Sequence, residues 1–130
     1  MLQRQRNFRP TWTVDLQEPV AGNYYPITTA IAMDNPVNNS RLIVLTDRAQ
    51  GGSSINDGEL ELMVHRRLLH DDNFGVDEAL DEHAFGAPLV ARGKHLVILG
   101  SRTTSPTAMS LQRKITLNKL ILAPWVLLTP

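Results

Sequence analysis

Ile27-Thr28-Thr29-Ala30-Ile31-Ala32-Met33, then Asp34-Asn35-Pro36-Val37-Asn38-Asn39, then Arg41-Leu42-Ile43-Val44-Leu45-Thr46 is the stretch that decides the fold. The first and third pieces are rich in β-branched and aliphatic side chains, which suit a pleated surface packed on neighbours. The middle piece collects Asp, Asn and Pro, the residues that bend a chain. Two extended runs joined by a short polar link predict a β-hairpin with a loop of several residues.

Upstream, Thr11-Trp12-Thr13-Val14-Asp15-Leu16 alternates polar and apolar side chains, the period of a strand with one wet face. Glu18-Pro19 and Ala21-Gly22-Asn23 interrupt it, and Tyr24-Tyr25-Pro26 places two aromatics before a rigid bend. Residues 1–10 are polar and basic and read as a lead-in segment, with the β-rich region occupying 11–130. Downstream, Gln50-Gly51-Gly52-Ser53-Ser54 reads as a flexible loop. It lacks the lysine and the glycine spacing of a phosphate-binding loop.

The next segment fits two periods. As a strand it sets Leu60, Leu62 and Val64 on one face; as a helix it stripes Leu60, Met63, Val64 and Leu68 behind an Asn56 or Asp57 cap. The β-rich surroundings favour the strand. His70 to Gly75 is a polar turn, and Asp77 to Glu82 forms a short irregular or helical turn. Lys94 to Leu99 is a further strand, Ser101 to Ser110 an exposed excursion, and Leu120 to Leu128 one or two strand pieces broken at Pro124. Six to eight strands and no long helix predict a mainly-β chain: a sandwich, or part of a larger β assembly.

Composition narrows the function classes. At 130 residues with 42% apolar and 20% charged side chains, the chain supports one packed domain. A formal charge of zero gives no footprint for nucleic acid. The zero hides an asymmetry: residues 57–82 hold nine acidic and two basic side chains, while residues 83–130 hold six basic and no acidic ones. Without cysteine there is neither a disulfide nor thiolate chemistry. Met1 to Arg6 lacks the apolar core of a signal peptide, and no run reaches the roughly 18–20 apolar residues of a membrane span.

Candidate chemistry is sparse. His65, His70, His83 and His95 lack metal-ligand spacing, so no metal or other cofactor is expected in this chain. Ser53 and Ser54 do not sit in a nucleophile elbow. Asp71-Asp72 is a carboxylate pair able to hold sugar hydroxyls, an arginine or calcium, or only to shape a turn. Tyr24 and Tyr25 offer faces for a sugar ring as readily as for packing, whereas Trp12 and Trp125 are assigned to packing. Asn38-Asn39-Ser40 is an N-glycosylation sequon with Asn38 as acceptor.

Several longer stretches carry a family likeness: Glu18 to Pro26; Leu45-Thr46-Asp47-Arg48-Ala49-Gln50-Gly51-Gly52-Ser53-Ser54; and Asp57-Gly58-Glu59-Leu60-Glu61-Leu62-Met63-Val64-His65-Arg66-Arg67-Leu68-Leu69. Together with Lys94 to Ile98 and Leu122-Ala123-Pro124, they resemble lysosomal-type alpha-mannosidases of glycoside hydrolase family 38. The resemblance implies a segment of the galactose-mutarotase-like, β-sandwich C-terminal region of a much longer glycosidase. It also implies that zinc and the nucleophilic aspartate belong to an upstream α/β catalytic domain, matched by none of these residues. The chain alone is therefore expected to be inactive, with that catalytic domain as its partner.

By the same resemblance, the parent is lysosomal or secreted and meets mannose-containing oligosaccharides. The substrate-proximal candidates are then Asp71, Asp72, Tyr24 and Tyr25. One position departs from the family pattern. Phe74 stands in the Asp-Asp-x-Arg-Gly stretch where an arginine is usual, and it supplies neither charge nor donors. A free-standing β-sandwich module that binds carbohydrate is the alternative.

Overall fold

The computed structural model describes residues 2–75, 79–103, 110, 114–118 and 126–128. Eight strands lie among them, in three antiparallel sheets. β1 (Tyr25–Ile27), β4 (Gln50–Ser53) and β5 (Glu61–Met63) form one sheet in the order β1-β4-β5. β2 (Ala30–Asn35), β3 (Ser40–Thr46) and β8 (His95–Ser101) form a second, with β3 in the middle. β6 (His83–Ala84) and β7 (Ala87–Pro88) make a two-residue hairpin. The chain is mainly β, with open, sandwich-like sheets.

The hairpin read from residues 27–46 forms, and it is the spine of the molecule. β2 pairs with β3 from Ala30↔Leu45 to Asn35↔Ser40. Beyond Ala30 and Leu45 the same two chain segments cross into the other sheet, where β1 pairs with β4 and Ile27 faces Gln50. Only Thr28 and Thr29 lie between the ladders on one side, against residues 46–49 on the other. That surplus is a bulge, and it lets one long ribbon turn the corner between sheets. The Thr46 amide bonds the Thr29 carbonyl at 3.0 Å across the corner.

The core lies on one face of the second sheet. Ile43, Leu45 and Ile98 are buried, with Ala30, Ala32, Leu96 and Leu117 against them. Registers Ala32↔Ile43↔Ile98 and Ala30↔Leu45↔Leu96 stack these side chains across all three strands. Leu117 comes from residues 114–118, which are helical, an element the sequence reading did not anticipate.

Two expectations are corrected. Gln50 to Ser53 is strand β4, not a flexible loop. Its glycines answer to packing: a Cβ on Gly52 would lie 2.6 Å from Ile27 Cγ1, and one on Gly51 3.0 Å from the Tyr24 ring. Thr11 to Leu16 is not a strand. It has no pairing neighbour among the described residues; Leu16 instead covers Gly22, and Trp12, expected to pack, is 59% exposed. The strand reading of residues 59–67 holds only for Glu61–Met63, strand β5, while Lys94 to Leu99 holds as β8 from His95 onward. Of the readings for Ser101–Ser110 and Leu120–Leu128, residues 104–109 and 120–125, including Trp125, lie outside the described residues.

Candidate functional site

Tyr24 and Tyr25 enter β1 from the 3₁₀ turn Ala21–Asn23. Two guanidinium groups lie over the Tyr25 ring, Arg4 at 4.6 Å and Arg9 at 5.1 Å from its centroid. This is cation–π geometry. Arg9 also donates to the Tyr25 hydroxyl at 2.7 Å. Tyr24 bonds Glu61 through its hydroxyl and lays its ring over Gly51.

Behind them, Asn23 is buried and holds the lead-in segment. It accepts from the Asn7 amide at 2.9 Å and donates to Asn7 Oδ1 at 2.8 Å and to the Pro19 carbonyl at 2.7 Å. Its own carbonyl takes the Ser53 hydroxyl at 2.8 Å. Both tyrosines thus already have intrachain partners.

Tyr25 borders an open cleft of about 990 Å³, whose charged lining includes Arg4, Arg6, Asp34, Arg41 and Arg102. Most of these charges are paired. Arg6 meets Asp57, and Arg41 grips Asp34 with bonds of 2.6 and 2.7 Å. Arg102 Nε lies 3.3 Å from Asp34 Oδ2 without forming an aligned hydrogen bond. The hydrogen bond from Arg41 holds the Asp34 carboxyl below its ordinary value, aided by the charges of Arg41 and Arg102 and opposed by burial. Asp71 and Asp72 do not line this cleft.

The two aspartates sit in a separate excursion. Its neck is closed by the Leu68 amide on the Ala79 carbonyl at 2.9 Å and by Arg67 and Asp81 at 3.1 Å. Within it, Asp71 accepts the Asn73 amide at 2.7 Å and Asp72 accepts the Phe74 amide at 3.0 Å. These are two successive Asx-turns, the local bonding that Asp offers a turning chain. Phe74, between them and Gly75, is 93% exposed.

Sequence reasoning missed two features. The first is a clamp made by the corner bulge. Asp47 accepts the Lys94 amide at 2.7 Å, while Arg48 donates to the Arg92 carbonyl at 3.2 Å and the Val64 carbonyl at 3.0 Å. The bulge thereby fastens both ends of the 64–92 excursion. Gly93 leaves room for it, since a Cβ there would fall 2.0 Å from Arg48 Nη1.

The second is the outer face of the β2-β3-β8 sheet. Registers Ile31↔Val44↔Val97 and Met33↔Leu42↔Leu99 place six apolar side chains opposite the core face, and Val97 and Leu99 are 64% and 73% exposed. The signal was legible: Leu42 to Leu45 and Leu96 to Leu99 are continuous apolar runs, the mark of a strand covered on both faces.

Among the described residues, no three His, Asp or Glu side chains gather as a metal site, and no helix is long and apolar enough to cross a membrane. The β2-β3-β8 sheet is thus packed on one face, while its other face is half-buried on β2 and β3 and open at Val97 and Leu99. Residues 1–74 match the family model of the glycosyl hydrolases family 38 C-terminal domain, and the chain belongs to that family.

It is 50% identical to lysosomal alpha-mannosidase of Bos taurus over 128 residues, which is 98% of this chain and 12% of that protein. Against lysosomal alpha-mannosidase of Homo sapiens it is 49% identical over 130 residues, again 12% of that protein. It is also 51% identical to alpha-mannosidase of Canavalia ensiformis over 81 residues, 62% of this chain. The chain thus spans about an eighth of the length of the animal relatives.

Proposed function

We propose that the chain is the structural, non-catalytic part of an alpha-mannosidase that removes terminal alpha-linked mannose from N-glycans in the lysosome or after secretion. On this reading, a separate upstream domain holds zinc and performs a retaining hydrolysis. The present residues brace that domain through the outer face of β2-β3-β8. The observation that carries the reading is that face: six aligned apolar side chains, with Val97 and Leu99 open to solvent. An apolar sheet face left open along one strand in this way marks a surface that something covers. The family relation and the 12% share of the relatives' length support the remainder of the same polypeptide as the cover.

The Asp71-Asp72 turn is the part of this chain that borders the sugar pocket. Its support is the exposed Asp72 and the tied neck of the excursion, which presents both carboxylates from a closed loop. With Phe74 in place of a guanidinium, contact there runs through carboxylate oxygens accepting sugar hydroxyls. A glycosidase cleaves with two carboxyl groups placed across the scissile bond. This reading assigns that pair to the upstream domain and only pocket shape to Asp71 and Asp72.

The test is a double substitution, Val97→Lys with Leu99→Lys. In the 130-residue chain it leaves the urea midpoint unchanged or raises solubility. In the full-length enzyme it abolishes accumulation of active mannosidase. Full activity of the doubly substituted enzyme would sink the proposal.

A further inference from the structure

We propose that Asn38 carries an N-linked glycan, displayed at the tip of the β2-β3 hairpin. The inference rests on the secretory or lysosomal routing proposed above. Three asparagines crowd this turn, and their surroundings differ. Asn35 is followed by Pro36, and its Oδ1 accepts the amides of Val37 at 2.9 Å and Asn38 at 3.4 Å. Asn39 has Arg41 two residues on, and its Nδ2 is spent on Ser101 Oγ at 3.0 Å and Thr103 Oγ1 at 2.7 Å. Its φ of 54° and its carbonyl bond from the Arg102 amide at 3.0 Å fix it further.

Asn38 is exposed, as Asn35 is, and it alone of the three has a hydroxyl residue, Ser40, two positions on. Its Oδ1 accepts the Ser40 hydroxyl at 2.5 Å and the Ser40 amide at 3.2 Å. Its Nδ2 makes no hydrogen bond among the described residues. The acceptor nitrogen thus belongs to an exposed side chain, while the +2 hydroxyl already donates to the oxygen of the same amide. No other Asn-x-Ser or Asn-x-Thr occurs in the 130 residues, so any N-glycan on this chain belongs to Asn38.

The chemistry requires a lipid-linked oligosaccharide diphosphate and its membrane-bound transferase. A bond forms between Asn38 Nδ2 and the anomeric carbon of the first sugar. The bond from that carbon to the diphosphate oxygen breaks, and the lipid diphosphate leaves with the electron pair. The amide nitrogen surrenders one proton to the transferase or solvent. The tip stands at the end of the ladder, beyond the Asn35↔Ser40 pair, so a glycan there leaves the outer sheet face clear.

The experiment places the full chain behind a cleavable secretory leader, translates it with endoplasmic-reticulum microsomes, and follows its mobility with and without an N-glycan amidase. One amidase-sensitive shift is expected for the natural chain, for Asn39→Gln and for Ser40→Thr. Complete loss is expected for Asn38→Gln and Ser40→Ala. An unmodified natural chain, or a shift that survives Asn38→Gln, overturns the proposal. So does a modified leader-driven chain alongside bare Asn38 in the protein from its own cells. That last result places the failure in the routing rather than in the acceptor.

Discussion

The ribbon of β1 to β4 and the excursion of residues 64–92 follow one another in the chain yet are built on opposite terms. The ribbon pairs residue by residue through two ladders and buries Ile27, Ile43 and Leu45. Among its described residues the excursion has one two-residue hairpin and leaves Leu69, Phe74 and Phe85 exposed. It is held by polar bonds, its own at the neck and in its turns, and those of Asp47 and Arg48 at its ends. Order in one region is made by packing and in the other by a few polar bonds. Local stability should follow that division.

The widest gap should appear on truncating Leu45. It is fully buried under Ala30 and Leu96, and Leu45→Ala should cost about 2–5 kcal/mol, read as a fall in the urea midpoint. If that loss were below about 1 kcal/mol, the ribbon would not be the packed half of the molecule.

Next comes the clamp. Arg48→Ala removes donors from two backbone carbonyls and should cost about 1–2 kcal/mol. More tellingly, it should speed proteolysis within residues 64–92 while leaving the ribbon resistant. Gly93→Ala should reproduce that cleavage pattern by evicting the guanidinium, and a cleavage site inside β2 or β3 instead would contradict the division.

Smaller still is the charge at the hairpin. Asp34→Asn should cost no more than about 1 kcal/mol, because its pair with Arg41 is roughly one-third exposed. The carboxyl is held below its ordinary value of 3.8, so its contribution is complete above that pH and fades as pH falls through the lowered folded value. Acid titrations of the natural chain and of Asp34→Asn should therefore converge below the folded value and stay parallel from about pH 5 upward.

The smallest effect belongs to the excursion's apolar tips. Phe85→Ser should shift the urea midpoint by no more than about 0.5 kcal/mol, since the ring has nothing to leave.

What was legible in the sequence follows the same line. The hairpin of residues 27–46 could be read because its signals are local: branched side chains, then Asn and Pro, then branched side chains again. Strand β4 could not, because Gln50-Gly51-Gly52-Ser53 carries no β signal of its own. Its glycines are required by Ile27 and Tyr24, more than twenty residues away. Thr11 to Leu16 failed in the other direction, since alternation without a neighbouring strand has nothing to pair with.

At the candidate site, the sequon and the Asp71-Asp72 turn stand in the sequence as motifs. The Arg4 and Arg9 guanidinium groups on Tyr25 come from residues 21 and 16 positions away, and no spacing rule reaches that far.

The glycines of this molecule also divide its inheritable variation into two kinds. At Gly52 every missense change introduces the same first carbon, 2.6 Å from the buried Ile27, so codon 52 has no conservative replacement. Gly58 and Gly86 have open space around them, and only their dihedrals of 82° and 79° favour glycine. There an asparagine allele should pass unnoticed, because Asn adopts that backbone readily. Carriers of changes at codon 52 would be expected to lose the protein, and carriers of asparagine at 58 or 86 to keep it.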